Sequence, residues 1–469
     1  MSKIILVHRL RISDGSVGPN LRFAQVYKLD RACSNSVKSI FSIIMSLMAR
    51  FALWSGRILT GFPIKLARIF PLLGFLTIVA IPTVAKAGLR PSTWLGTWSA
   101  SPHAPIQGVP PPEFNNQTLR LIVHVSLGGP QVRIRLSNAY GTGPLQIGDV
   151  HVAISTTAAG ILTGSDSVVT FAGQNSVTIP PGGLVVSDPV NLVVPDLSNL
   201  AVSIYLPADT IGVTQHFLAQ QVSYISSTGD FTGSSSFPIS NVTLSWFFLS
   251  NVEVLGFPGS RAVVALGDSI TDGVNSSFDA NTRWPDMLAQ RLASLNFFQV
   301  SVLNQGILGN QLVNDYLGIG QNGSARFDRD VIAQAGAKYL IILEGTNDIG
   351  LGLFTPGQAA GSAGTIAGYN QLIQRAHEHD IMVFGGTLIP FGGSFYYSAA
   401  TEAERQVVNQ FIRTGHAFDG VIDFDLAVRD PNNPDQILPV YDSGDHLHPN
   451  DAGYSAMAQS INLSLFNGL

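Results

Sequence analysis

The chain of 469 residues is 45% hydrophobic and only 12% charged, and its charge is uneven. Residues 1–87 hold 12 of the 26 Lys and Arg but 2 of the 31 Asp and Glu, leaving 14 basic and 29 acidic residues, near −15, in 88–469. A body that acidic repels phosphate, which excludes nucleic acid as a partner, and with the single Cys33 in the basic leader the rest can use neither disulfides nor a thiol nucleophile.

Residues 1–87 read as a leader. Lys65-Leu66-Ala67-Arg68 is a basic flank, Ile69 to Ile81 an apolar run, and Pro82-Thr83-Val84-Ala85-Lys86-Ala87 an Ala-x-Ala end. That is the layout of a secretory signal cleaved after Ala87. The run is short for a membrane span and is broken by Pro71 and bounded by Pro82. Met45 or Met48 offers an alternative start, and residues 1–44 are expected to be disordered or absent from the mature protein. The expected location is secreted or periplasmic; an uncleaved leader would instead anchor the chain to a membrane.

Residues 88–255 alternate with period two between turn signals. Leu119 to Leu127 and Gln131 to Ser137, joined by Gly128-Gly129-Pro130, read as a hairpin with one face buried. Val150–Ser155, Ser176–Ile179, Leu184–Ser187, Leu200–Leu206 and Val242–Leu249 continue the series. No segment has a helical period, so an all-β sandwich or jelly roll is expected. Trp94, Trp98 and His103 lie in what reads as an irregular stretch. They are expected to pack across a domain boundary; the competing reading is a set of exposed rings that stack on sugars. His124 and His151 fall in strand patterns and read as core or surface residues; His216, after Thr214-Gln215, could reach the other domain, although nothing in the sequence requires it.

From Arg261, within a second domain of 256–469, the texture changes to apolar strand runs alternating with helix-length segments. Ala262–Leu266, Gln299–Leu303, Tyr339–Leu343, Ile381–Gly385 and Val421–Phe424 alternate with 283–295, 324–335, 356–378, 401–414 and 451–463. This βαβ repetition predicts a three-layer α/β/α domain on a parallel sheet. Right-handed crossovers bring the carboxyl ends of the strands to one edge, where such sheets bind ligands. Ser269, Asn304 to Asn310, Glu344 to Asp348, and Asp445 with His448 all follow strand ends.

Each has a chemical job. Ser269 is a nucleophile that needs a base. His448 can take its proton and return it to the leaving alkoxide, and Asp445 can hold the imidazole tautomer. Gly309 and Ser269 can offer backbone N–H groups, and Asn347 its amide, to a tetrahedral oxyanion. His446 competes with His448, but the Asp-x-x-His spacing favours His448. Asp268 and Asp348 are expected to tie loops together. Arg283 and Trp284 either border an acyl pocket or pack a helix. The run His377-Glu378-His379-Asp380 and the Asp445-His446-Leu447-His448 stretch hold metal-ligand residue types, yet the expectation is no catalytic metal and no cofactor.

The serine is not set in Gly-x-Ser-x-Gly, which argues against the α/β-hydrolase elbow. Four blocks instead resemble the SGNH, or GDSL, hydrolase superfamily: Gly267-Asp268-Ser269, Gly309 within Gly306-Ile307-Leu308-Gly309-Asn310, Gly345-Thr346-Asn347-Asp348, and Asp445-His446-Leu447-His448. The resemblance covers roughly 260–469. The Gly96-Thr97-Trp98-Ser99-Ala100-Ser101-Pro102 stretch before a β region resembles, more loosely, secreted GDSL esterases with an amino-terminal β domain. The resemblance implies Ser269 as nucleophile, His448 as base, Asp445 as its partner, and Ser269, Gly309 and Asn347 as the oxyanion hole, without a metal. It implies ester substrates, from acetylated carbohydrates to aryl esters and lipids, acting in two steps through an acyl-serine. A rival organisation makes the β half a carbohydrate-binding module joined to an inactive hydrolase domain.

Overall fold

A computed structural model describes residues 92–107, 112–294, 299–315, 319–354 and 359–466. The leader, its apolar run at 69–81 and the cleavage expected after Ala87 lie outside the described residues. Among the described residues no helix is long and apolar enough to cross a membrane. Leu89–Leu469 form one compact unit, in which a β half precedes an α/β half.

Two large antiparallel sheets dominate the β half, beside two short two-stranded ones, Leu145–Ile147 with Val177–Ile179 and Gln215–His216 with Trp246–Phe247. One large sheet runs, in spatial order, Thr93–Ser99, Leu249–Gly256, Val132–Ser137, Leu184–Val186; the other runs Ile239–Thr243, Ser223–Thr228, Gln117–His124, Asn199–Leu206, Asp149–Ile154, Ser167–Val168. Period two is visible in Val132–Ser137. Val132, Ile134 and Leu136 are fully buried, while Arg133 and Arg135 point outward and clamp Glu253 of the adjacent strand at 2.6 and 2.5 Å. Leu119, Leu121 and Val123 of one sheet pack with Ile134, Leu136 and Val252 of the other in a shared core.

Two expectations fail here. Gln117–His124 and Val132–Ser137 are not a hairpin; they belong to different sheets. Gly128 and Gly129 do not close a turn between them, because their N–H groups bond Asp196 Oδ1 (2.6 Å) and Val194 O (2.9 Å). A Cβ on Gly128 would sit 2.0 Å from Val194 O, so this crossing between sheets needs glycine. The stretch read as irregular is a strand, Thr93–Ser99. It lacks alternation because both of its faces are covered: Trp98 joins the β core, whereas Leu95 joins the core of the α/β half.

The α/β half holds five parallel strands in the order Val300–Gly306, Arg261–Gly267, Ala337–Leu343, Met382–Gly386, Gly420–Ile422. Val263 to Leu266 are fully buried, as a central strand covered on both faces requires. Helices Trp284–Ser294 and Asp451–Ser460 pack against each other, as do Gly361–His377 and Ala399–Thr414, giving the outer layers. Ser398 starts the last of these with a capping box on Thr401.

The sheet edge at Val300–Gly306 is not left open. Val302 N donates to Ser126 Oγ at 3.0 Å, and Ser99 Oγ donates to Asn304 O at 3.2 Å, so the β half satisfies backbone groups of the edge strand. Gly96 N donates to Ala335 O at 2.8 Å beside Leu303, where a Cβ would approach the Leu303 side chain to 2.8 Å. The two halves therefore share an interface, and tryptophans lie along it: Arg283 of the α/β half sits over the Trp246 ring at 5.8 Å, and Trp98 lines a small cavity with Arg283, Pro285 and Val302. Trp98 meets Trp246 edge-on at 4.9 Å and Trp94 lies under Arg133 at 4.4 Å, both within the β half.

Candidate active site

The central strand ends at Gly267, and the chain turns at once into the helical turn Ser269–Asp272. Asp268 is its cap: Oδ1 accepts the Ile270 N–H at 2.9 Å. Ser269 is thus the first helical residue, at the carboxyl edge of the sheet. The turn presses on the neighbouring strand end so closely that a Cβ on Gly306 would lie 2.2 Å from Asp272 N.

Ser269 Oγ lies 2.9 Å from His448 Nε2, and His448 Nδ1 lies 2.7 Å from Asp445 Oδ2. Asp445 Oδ1 accepts the backbone N–H groups of Leu447 (2.9 Å) and His448 (2.8 Å), so this turn is tied by its own first residue. Asn275 Nδ2 (2.9 Å) and Ser443 Oγ (3.1 Å) also donate to Asp445. With a carboxylate accepting at Nδ1, the neutral ring keeps its lone pair at Nε2, facing the serine hydroxyl. Burial works against the charge on Asp445. The hydrogen bonds from the His448 ring and backbone and from Leu447 outweigh it and hold the carboxyl well below its usual range. His446, the competing histidine, is exposed and bonded through Nδ1 to Asp442 at 2.5 Å.

Gly309 and Asn347 come to the same region. Gly309 has φ +69° in the Ile307–Asn310 turn, closed by Asn310 N donating to Ile307 O at 3.1 Å. Asn347 lies in the helical turn Thr346–Gly350. Its Nδ2 donates to Asn310 O at 2.8 Å, and its Oδ1 accepts the Tyr396 hydroxyl at 2.8 Å. These two bonds orient the amide and leave one Nδ2 hydrogen. Among the described residues, no hydrogen bond occupies the N–H of Ser269 or of Gly309.

Beneath these loops lies a buried charged layer. Arg326 Nη2 donates to Gly267 O at 3.0 Å, Nε to Asn310 Oδ1 at 3.0 Å, and Nη1 to Gln305 O at 2.7 Å and to Ser101 Oγ at 2.9 Å. One guanidinium thus fixes two strand ends and the Asn310 turn. Glu344 accepts from it at 3.4 Å. Asp348 accepts the Leu312 and Val313 N–H groups at 2.8 and 3.1 Å, tying two loops. Burial raises Asp268 to about 7 and Asp348 to about 6, against the N–H donors that lower both. Burial and then the Asp268 charge raise Glu344 well above the carboxylate range. Burial thus favours the protonated form of the Asp268 and Glu344 carboxyls in this layer.

Other candidates fall elsewhere. Arg283 pairs with Asp286 at 2.7 Å and lies over Trp246 of the β half at 5.8 Å, and Trp284 is buried against Phe424 at 5.3 Å. His377 bonds Asp419 at 2.8 Å. His124 faces Asn199, and His151 faces Asp166. The sequence reading passed over Arg326, Tyr396, Asn275 and Asp272, the residue that His216 reaches. The partners of Arg326, Tyr396 and Asn275 are remote in sequence.

Residues 265–456 match the GDSL-like Lipase/Acylhydrolase family. The β half lies outside the matched residues. Similar solved structures include a carbohydrate acetylesterase family member from Sinorhizobium meliloti, at 17% identity, covering 44% of this chain and 97% of that one, with a TM-score of 0.36. An acetyl xylan esterase from Geobacillus stearothermophilus is 19% identical, with 43% and 93% covered and a TM-score of 0.34. A lipase/acylhydrolase from Enterococcus faecalis is 20% identical, with 43% and 92% covered and a TM-score of 0.33. No curated protein matches the chain.

Proposed function

We propose that this protein is a serine esterase that hydrolyses carboxylic esters through an acyl-Ser269 intermediate. The observation that carries this reading is the unbroken chain Ser269 Oγ–His448–Asp445, at 2.9 and 2.7 Å. His448 Nε2 takes the hydroxyl proton as Ser269 Oγ attacks the ester carbonyl carbon. The tetrahedral oxyanion is held by the N–H groups of Ser269 and Gly309 and by Asn347 Nδ2. The C–O bond to the alcohol breaks, and the alkoxide leaves with the proton from His448. Water, deprotonated by His448, then attacks the acyl carbon and frees Ser269. No step requires a metal.

The substrate we favour is a short acyl ester of a carbohydrate. Phe354 and Phe395 are 54% and 60% exposed, with rings 5.9 Å apart, and Phe395 lies tilted against Tyr396, which holds Asn347, with centroids 4.4 Å apart. Exposed rings beside the reacting carbonyl suit an alcohol that offers a ring face. The same pair favours aryl esters as the second reading. The leader-like sequence at 65–87 supports export, which amino-terminal sequencing of the mature protein tests. The function is tested by hydrolysis of p-nitrophenyl acetate, butyrate and decanoate and of acetylated xylo-oligosaccharides by the full chain, with Ser269→Ala alongside. Turnover of the acetates that disappears in Ser269→Ala is expected; a Ser269→Ala variant with full activity sinks the reading.

A further inference from the structure

His216 belongs to the β half, on the short strand Gln215–His216 that pairs with Trp246–Phe247. It is buried, 4% exposed, and its ring lies against Trp246 at 5.5 Å. Nδ1 faces Ser101 O at 2.9 Å and Nε2 faces Asp272 Oδ1 at 3.0 Å. Through its two ring nitrogens the imidazole bridges the Ser101 carbonyl and the Asp272 carboxyl. The neighbouring His103 differs. Its Nδ1 donates to Ala104 O at 2.6 Å and its Nε2 accepts the Phe217 N–H at 3.0 Å, which a neutral ring satisfies. Burial, and then the charge of His216, lower His103 to about 4.

Asp272 closes the helical turn that Ser269 begins, and is 1% exposed. Its second oxygen, Oδ2, accepts the N–H of Leu308 at 3.0 Å. Leu308 immediately precedes Gly309. A continuous link thus runs from the β half through His216 and Asp272 to the peptide next to the Gly309 N–H, alongside the turn that carries the nucleophile. A carboxylate buried to this degree keeps its charge and place only with a partner. Without His216, Asp272 Oδ1 loses its side-chain partner and the Leu308 N–H alone holds the buried carboxyl in place.

We propose that His216 is a positioning residue of the esterase: through Asp272 it fixes the Ile307–Leu308 peptide, one residue before Gly309, so that the Gly309 N–H meets the developing oxyanion. The proposal rests on the reading of Ser269 as the nucleophile. It makes the β half part of the catalytic apparatus, in place of the appended carbohydrate-binding module that the sequence left open. Because the link acts on the transition state, its loss lowers kcat and leaves ground-state binding alone. Misplacing one donor in this way costs about 10- to 100-fold.

The experiment compares His216→Ala, His216→Gln and His216→Asn in the full chain, with Ser269→Ala and Asn251→Ala as controls. Gln can present its amide N–H where Nε2 stood and reach Asp272; Asn imitates only Nδ1. Asn251 Nδ2 bonds Gln334 Oε1 at 2.6 Å between the same two halves, away from the Ile307–Leu308 peptide, so its loss reports interface stability alone. On p-nitrophenyl acetate, His216→Ala is expected to lose about 10- to 100-fold in kcat with KM within about threefold. His216→Gln recovers most of kcat and His216→Asn does not. Asn251→Ala lowers the melting temperature with kcat unchanged. Labelling of Ser269 by a fluorophosphonate, whose phosphoryl oxygen uses the same donors, follows the same order and serves if the ester is a poor substrate. Should the alanine variant fail to fold, the Gln and Asn variants decide. Wild-type kcat in His216→Ala, or equal kcat in Gln and Asn, overturns the positioning role. Activity in Ser269→Ala overturns the nucleophile instead, and the two failures are distinct.

Discussion

Replacing Asp445 by Asn tests how much of the chemistry depends on one tautomer. Asp445 Oδ1 is committed to two backbone donors, Leu447 N at 2.9 Å and His448 N at 2.8 Å, and to Ser443 Oγ at 3.1 Å. An Asn at 445 keeps its carbonyl oxygen there, because those donors need an acceptor. Its amide nitrogen then takes the place of Oδ2, facing the Asn275 Nδ2 donor and His448 Nδ1. A donor now meets Nδ1, so the ring must accept at Nδ1 and carry its hydrogen on Nε2. That hydrogen points at Ser269 Oγ, 2.9 Å away, and the base can no longer take the hydroxyl proton. A wrong-tautomer histidine costs about 10⁴-fold in kcat, or roughly 5.5 kcal/mol of barrier. Steady-state hydrolysis of p-nitrophenyl acetate measures it, with a thermal melt to show that the turn survives. A variant within tenfold of wild type, folded and stable, refutes the tautomer argument.

Further outcomes follow from the same geometry. Asn347→Ala should lose about 10²- to 10³-fold in kcat as an oxyanion donor, while Tyr396→Phe, which removes only the bond that orients Asn347, should lose less; the reverse order would remove Tyr396 from that role. Asp268 is raised from 3.8 to about 7, so between those values the folded protein holds a proton that the unfolded chain has lost, and stability falls as pH rises across this window. Asp268→Asn keeps the cap acceptor but cannot ionise, and its melting temperature should decline less steeply from pH 4.5 to 7.5; parallel slopes would refute the assignment. A 256–469 fragment should be insoluble or inactive, because it loses Leu95 from its core and Ser126 from its edge strand; a stable, fully active fragment would show the halves to be independent.

The elements that were legible in the sequence are those whose physics is local. Val263 to Leu266 are apolar on both faces and read as a buried parallel strand, and the turn from Gly267 to Ser269 shows in residue type alone. The alternation of Val132–Ser137 announced a strand but not its partner, because nothing in Gly128-Gly129-Pro130 distinguishes a turn from a crossing between sheets. Thr93–Ser99 hid its identity because Trp98 and Leu95 are each buried against a different half. Ser269, His448, Asp445, Gly309 and Asn347 stood out by spacing after strand ends. His216 and Arg326 did not, since their partners Asp272, Ser101, Asn310 and Gly267 lie far along the chain. A buried charge carries no local pattern; it is recognised only by what surrounds it.

The placement of the first strand also dictates an order of assembly. Thr93–Ser99 pairs with Leu249–Gly256, and its Gly96 N–H is completed by Ala335 O, more than two hundred residues later. Such long closures are slow to form, because the chain entropy must be lost before the contact is gained. As the chain emerges, this strand has no finished surface to join until the edge strand Val300–Gly306 and the Ala335 turn exist. Its apolar residues stay exposed during that interval, when an unsealed edge can pair with another chain. A holding factor that shields Leu95 and Trp98 through synthesis would raise the yield of folded enzyme without touching the reaction it performs.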